Sequence, residues 1–361
     1  MLERADIRIG GDRPWDIQVH DERFFGRVLG QGSVGAGESW MDGWWDCQAL
    51  DQFFERIFGQ QLERQVRFPL RMIGHILYHY LFNPQSPSRA RIIGERHYDA
   101  GNDLFERMLD KRMVYSCGYW KNADNLDEAQ EAKLDLICRK LELQPGMRLL
   151  DIGCGWGSLV QFAAERYGVE AVGITVSREQ VELARARCAG LPVEIRLADY
   201  REVDERFDRI ASVGMVEHVG WRNYRTYMKT AFRCLEPSGL FLLHTIGSNH
   251  SVRVTDPWIA KYIFPNSHLP SLAQLSSACE KLLVAEDLHN FGPDYDKTLL
   301  AWHANFTAGW PEIAEHYSER FRRMWTFYLL SSAASFRLRR IQLWQLLLAK
   351  PPRPKAVETI R

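Results

Sequence analysis

Leu50, Phe53, Phe54, Ile57 and Phe58 recur at i, i+3, i+4, i+7 and i+8, which predicts an amphipathic helix with one apolar face. Leu70, Ile73, Leu77, Tyr80 and Leu81 predict a second. The turn-rich stretch Asn83-Pro-Gln-Ser-Pro-Ser88 then suggests a boundary. Residues 1–88 are expected to form a small, mainly helical domain, and residues 89–361 a second, larger one. Within the first, Gly30-Gln-Gly-Ser-Val-Gly-Ala-Gly37 reads as a glycine-rich loop. After a helix marked by Leu134, Ile137, Cys138 and Leu141 the period changes. Short apolar runs at 148–152, 171–176, 193–198, 209–213 and 240–245 alternate with helical segments, one reaching Tyr167 and one carrying Val181, Ala184 and Cys188. Strand–helix alternation predicts an α/β fold, a mainly parallel sheet with helices on both faces. Ligands of such folds sit at the carboxyl ends of the strands.

The segment Leu149-Leu-Asp-Ile-Gly-Cys-Gly-Trp-Gly157 joins a predicted strand to a predicted helix. Gly153, Gly155 and Gly157 allow a tight turn and close backbone approach to a ligand. A dinucleotide loop reads GxGxxG; the GxGxG spacing here resembles instead the first motif of class I S-adenosylmethionine (SAM) methyltransferases. Asp151 is then a candidate partner for the cofactor's ammonium group, or a turn carboxylate. An acid closing the second strand usually grips the ribose in that superfamily, but Val172-Gly-Ile-Thr-Val-Ser177 has none. Thr175 and Gln180 are expected to supply those hydrogen bonds. Asp199, in Leu197-Ala-Asp-Tyr200, suits the adenine amino group. Tyr115, Ser116 and Tyr200 complete the candidate cofactor set.

Composition narrows the function classes. Lys+Arg and Asp+Glu both count 46, so no global basic field argues for nucleic acid. The seven cysteines are widely spaced with no CxxC pair, which suggests neither a disulfide framework nor a zinc ribbon and fits a reducing cytoplasm. His75 and His79 stand at i, i+4 but lack a third ligand, so no metal is expected. No segment is apolar enough for a bilayer span, so any membrane role is expected to be peripheral.

More specific words follow in order: His97-Tyr-Asp-Ala-Gly-Asn-Asp-Leu-Phe105, Tyr115-Ser-Cys-Gly-Tyr-Trp120, Gly214-Met-Val-Glu-His-Val-Gly220, Leu243-His-Thr-Ile-Gly247, Asp256-Pro-Trp-Ile, Tyr262-Ile-Phe-Pro-Asn266 and Asn290-Phe-Gly-Pro-Asp-Tyr295. From about residue 41 to 350 the chain resembles bacterial cyclopropane-fatty-acyl-phospholipid synthases. A Gly-Ile/Val-Thr segment is usual there, which accounts for the missing acid.

The resemblance implies a class I Rossmann-like domain with a seven-stranded sheet and an antiparallel late strand near 341–349. It implies methylene transfer from SAM to a cis double bond of an unsaturated phospholipid. The alkene attacks the sulfonium methyl, and a base then removes a proton from the new methyl so that the ring closes. Such a site must be dry, and aromatic faces can stabilise its positive charge; Tyr115, Tyr119, Trp120, Tyr262, Phe264 and Tyr295 are candidates. A bound bicarbonate ion is implied as proton acceptor, held by Cys117, Glu217, His244, the backbone of Ile246, and Tyr295. A homodimer at the inner membrane face is also implied, with the N-terminal domain capturing lipid. The Arg320, Arg322, Arg323, Arg337, Arg339 and Arg340 cluster is a solvated face or a headgroup contact. Two other readings remain: the same scaffold giving a methyl-branched lipid or a methylated amine, and a non-catalytic lipid-binding protein.

Overall fold

The computed structural model describes residues 2–62, 101–252 and 254–361. The helix expected over 70–81, the break at 83–88, the boundary after residue 88 and the His75/His79 pair lie outside them. A short antiparallel pair, β1 (Ile17–Val19) and β2 (Trp45–Cys47), belongs to the N-terminal part. The main sheet contains β3 (Arg148–Ile152), β4 (Glu170–Thr175), β5 (Val193–Leu197), β6 (Phe207–Val213), β7 (Leu235–Ser248), β8 (Val284–Asn290) and β9 (Ile341–Ala349). Among the described residues its order is β5-β4-β3-β6-β7-β9-β8, with β9 antiparallel to both neighbours. The α/β class and the antiparallel strand at 341–349 are as the sequence predicts.

Helices α1 (Arg23–Gln31), α2 (Ser33–Met41) and α3 (Leu50–Gly59) precede the sheet. Then come α4 (Asn102–Met108), α5 (Leu126–Lys140), α6 (Ser158–Tyr167), α7 (Arg178–Arg187), α8 (Tyr224–Cys234), α9 (Pro257–Tyr262), α10 (Leu272–Cys279), α11 (Pro293–Ile313) and α12 (Glu319–Arg337). Local signals set several ends. The Asn125 side chain accepts the Glu128 N–H at the start of α5, and Ser177 does the same for Gln180 at the start of α7. The β8 strand was not predicted. It is a half-exposed edge carrying Glu286 and Asp287, so its apolar alternation is weak.

The glycine-rich loop at 30–37 is a correction: this stretch is the end of α1 and most of α2, broken only at Gly32, whose φ is +59°. Glycine disfavours helix, but close approach decides here. A Cβ at Gly35 would overlap the Arg27 carbonyl of α1, and one at Gly37 the Trp258 ring of α9.

That contact belongs to a wider one. Phe24, Trp40, Trp45, Phe53 and Phe54 share one core cluster with Trp258, Trp325, Phe327 and Tyr328. The Phe327 ring lies 4.5 Å from Trp258 and 5.0 Å from Phe54. Arginines of α12 ring this core. Arg337 reaches Asp51 at 2.9 Å, Glu55 at 2.8 Å and Asp296 at 2.9 Å. Arg320 pairs with Asp42, Arg322 with Glu319 and Arg323 with Asp46, while Arg339 donates to Gln342. The basic cluster is therefore spent largely on internal ion pairs, because folding brings acidic N-terminal residues onto it.

Gly247 on β7 faces the Trp344 ring of β9 so closely that a Cβ would overlap it. Gly247→Ala should destabilise the chain by about 1–3 kcal/mol through overpacking. Urea unfolding checks this: the midpoint should fall while the slope stays unchanged.

Candidate active site

The β3–α6 turn forms one wall of a cavity of about 200 Å³ at the carboxyl ends of β3, β4 and β6. Gly153 and Gly155 line it with φ of +87° and +55°. A Cβ at Gly155 would enter open space, so this glycine keeps the floor clear. Gly157, predicted with them, is not among the lining residues. Its φ is +84°, and a Cβ there would lie 3.2 Å from Ala184 and Cys188, so it serves the packing of α6 on α7.

The polar lining is aimed by local structure. Ser177 caps α7 and fixes Gln180. The Thr175 hydroxyl then donates to the Gln180 Oε1 at 2.7 Å, and the Gln180 Nε2 has no partner among the described residues. A buried amide donor left over in a cavity wall suits a hydroxyl ligand. Asp151 is likewise buried with its Oδ1 unpartnered, and burial pushes its carboxyl up to about 7. Beneath it lies Lys133, fully enclosed, its ammonium held down to about 8 by burial. The Lys133 Nζ donates to the Ser116 Oγ at 2.9 Å. Asp199 and Tyr200 also line the cavity, but the Asp199 carboxylate caps the turn at Tyr200–Glu202 and pairs with Arg201 at 2.6 Å. Its adenine role therefore competes with an existing ion pair.

A second cavity, about 600 Å³ and mainly apolar, opens beyond. Phe24, Phe53, Phe54 and Phe58 wall it from the N-terminal part, and Phe264, Phe327 and Phe336 from the rest. Tyr115, Ser116, Gly214 and His218 line both cavities, so the two meet there. Glu217, His244, Ile246 and Tyr295 stand in the wall of the apolar one. Glu217 Oε1 accepts the Ile246 N–H at 2.7 Å. Its Oε2 has no partner among the described residues, and burial raises its carboxyl to about 7. Burial holds His244 neutral, and its Nε2 is unpartnered among the described residues. Tyr295 stacks on Phe336 at 4.4 Å. The Tyr115 and Tyr328 hydroxyls bond at 3.0 Å, so the cavity junction is ringed by aromatic faces.

Two predicted positions depart from expectation. Cys117 is fully buried, but it does not line either cavity. Its thiol donates to the Gly118 carbonyl at 3.1 Å, and burial pushes its pKa far up. The Ile246 N–H is taken by Glu217, so it does not face a ligand. Among the predicted aromatics, Tyr119, Trp120 and Tyr262 lie outside both cavity walls. Sequence reasoning missed Lys133 and His218. Lys133 sits in a helix rich in charge, and His218 follows Glu217 within a motif already assigned, so neither carries a separate signal. Thr298 was missed as well. Its hydroxyl accepts the Gly118 N–H at 3.1 Å and the Trp120 Nε1–H at 2.9 Å, clasping the loop that carries Tyr115 and Ser116.

A seven-stranded sheet with this order, and a glycine turn at the end of β3, define a class I SAM-dependent methyltransferase. A family profile described as mycolic acid cyclopropane synthetase matches residues 85–346. The cyclopropane-fatty-acyl-phospholipid synthase of Escherichia coli K12 is 55% identical over 350 residues, covering 97% of this chain and 92% of the relative. The structure of the cyclopropane synthase MmaA2 from Mycobacterium tuberculosis superposes with a TM-score of 0.68 at 32% identity, covering 72% of this chain and 98% of that one. Mycolic acid cyclopropane synthase CmaA1, solved with S-adenosylhomocysteine (SAH) and CTAB, gives 0.67 at 34%, with the same coverage. The chain belongs to the mycolic acid cyclopropane synthetase family of enzymes.

Gly155→Val should put a branched side chain into the open floor of the smaller cavity, at a positive φ. Calorimetric titration should show SAH affinity reduced by about tenfold or more, with the far-UV spectrum unchanged. Gln180→Leu should weaken it in the same direction through loss of one donor.

Proposed function

We propose that the protein is a cyclopropane-fatty-acyl-phospholipid synthase, adding a methylene group from SAM across a cis double bond of an unsaturated phospholipid acyl chain. The observation that carries this reading is the junction of a polar cavity with a larger apolar one, in whose wall Glu217 and His244 keep atoms that are unpartnered among the described residues. The identity to the E. coli synthase supports the same substrate class.

The cofactor residues fit SAM. The Gln180 Nε2, unpartnered among the described residues, offers a donor for the ribose, Asp151 an acceptor for the ammonium, and Gly155 an open floor. Bound there, SAM would supply an electrophilic methyl group to the alkene, with SAH as leaving group and a carbocation left on the acyl chain. Tyr115, Phe264 and Tyr328 present aromatic faces that favour positive charge without attacking it. The apolar wall excludes water that would trap the cation. One proton then leaves the new methyl, and the C–H electrons close the ring.

His244, Tyr295 and Glu217 would hold bicarbonate, which would supply the proton acceptor. Cys117 and the Ile246 backbone contribute indirectly in this reading, the first by shaping the Tyr115–Trp120 loop and the second by fixing Glu217. The lipid must come from a bilayer, and among the described residues no helix is long and apolar enough to cross one. Peripheral contact with the inner membrane face, a homodimer, and lipid capture by an N-terminal domain of residues 1–88 belong to the same proposal. The aromatic residues that α1 and α3 give to the cavity wall favour the last of these.

Incubation with SAM and vesicles of unsaturated phospholipid should give acyl chains heavier by one methylene and resistant to hydrogenation. A methyl-branched chain that keeps its alkene, or a methylated amine, would overturn the cyclopropane assignment, and no modified product would leave a lipid carrier.

Burial raises the Glu217 carboxyl to about 7, so turnover should rise as pH passes upward through about 7. Glu217→Gln should abolish that limb and lower kcat by about ten- to hundredfold, with SAH affinity retained. Carbonate-free buffer should slow the wild type, and added bicarbonate should restore it. Full carbonate-free activity would make Glu217 itself the base.

A further inference from the structure

In the apolar strand Leu343-Trp-Gln-Leu-Leu-Leu348, one polar residue stands out. Gln345 lies on β9, directly opposite His244 on β7 and His289 on β8. Directly opposed residues share a sheet face, so His244, Gln345 and His289 form a row across three strands. Gln345 is 0% exposed. A buried amide is costly unless it is used, and its Oε1 has no partner among the described residues. Leucine would fill this position at less cost to folding.

The Gln345 Nε2 lies 3.3 Å from the His244 Nδ1. The amide nitrogen is the end of Gln345 turned toward the ring, and an amide nitrogen only donates, so this arrangement makes Nδ1 the bare, accepting nitrogen. Burial keeps the imidazole neutral, and its single proton then resides on Nε2. That atom has no protein partner among the described residues, and His244 lines the apolar cavity beside Glu217. Phe291 packs against the His244 ring at 5.8 Å and the His289 ring at 4.9 Å, which fixes the ring planes. His289 is held in turn by the Lys140 Nζ at 3.2 Å from its Nδ1.

We infer that Gln345 is a positioning residue: by donating to the His244 Nδ1 it fixes the tautomer in which His244 presents an Nε2–H to the reacting centre. The inference rests on the assignment of His244 to that centre. It explains a polar residue that contributes nothing else visible to the fold. It also makes His244 a hydrogen-bond donor in turnover, suited to holding an anionic proton acceptor and unsuited to taking the proton itself.

The test uses the full chain labelled with ¹⁵N-histidine, with the His244 signals assigned by difference from His244→Phe. Long-range ¹H–¹⁵N correlation should show the Nε2–H tautomer at His244. Gln345→Glu can accept only once its buried carboxyl is ionised, so above the pH at which that carboxyl loses its proton it should move the imidazole proton to Nδ1. On unsaturated phospholipid vesicles this variant should lose about ten- to hundredfold in kcat, with KM for SAM changed by less than about twofold. Gln345→Met keeps the volume without the hydrogen bond; it should fold, mix the two tautomers and lose less kcat. An Nδ1–H tautomer in the wild type overturns the inference, as does a Gln345→Met protein with unchanged tautomer and kcat. Full turnover by His244→Phe would instead sink the assignment of His244, while the spectra would still decide whether Gln345 sets its tautomer.

Discussion

The hydrogen bond from the Ile246 N–H to the Glu217 carboxylate, 2.7 Å long, ties the loop after β6 to the end of β7 inside an apolar wall. A carboxyl group enclosed there is costly to ionise, and burial raises it to about 7. Only one of its oxygens is satisfied by the protein among the described residues. The remaining oxygen and the His244 Nε2 both stand unpartnered, among the described residues, in the wall of the larger, apolar cavity. The surrounding packing fixes the position of both groups. Trp344 and Gly247 bring β9 close to β7, Phe291 holds the His244 ring, and Thr298 clasps the loop bearing Tyr115.

The apolar wall of that cavity depends on the N-terminal part. Its aromatic residues do not build a separate core among the described residues; they complete one begun by α9 and α12. The Arg337 pairs with Asp51, Glu55 and Asp296 bind these surfaces together, and the apolar cavity lies between them. Each such pair is only partly shielded, so its role is alignment more than gross stability. The smaller, polar cavity is built differently, from the sheet's own turns, and among the described residues draws its lining from residue 113 onward. The molecule thus joins a locally encoded polar cavity to an apolar one assembled from distant segments.

Periodicity and turn chemistry were enough for the positions of β3 to β7 along the chain and for the glycine turn, because each is specified within a few residues, while the antiparallel β9 came from the family resemblance and the order of strands within the sheet from the structure. The motif words likewise indicated Glu217, His244 and Tyr295, Gln180 and Asp151, and the structure brings these to the two cavities. The strand β8 escaped because an exposed edge needs little apolar alternation. The glycines at 35 and 37 misled because their use, close approach to α1 and α9, is invisible without the partner.

What the sequence by itself determined was the class of fold, the family and the types of side chain available for the chemistry. Those follow from local spacing and from words long enough to be specific. Tertiary structure alone decided which atom of each side chain is free. Cys117 and the Ile246 N–H are consumed by neighbours, Thr175 turns Gln180 outward, and Gln345 is set against His244 from a strand about a hundred residues away. Hydrogen-bond satisfaction is a property of packed geometry: a donor or acceptor is available for a ligand only when every nearby partner has been counted.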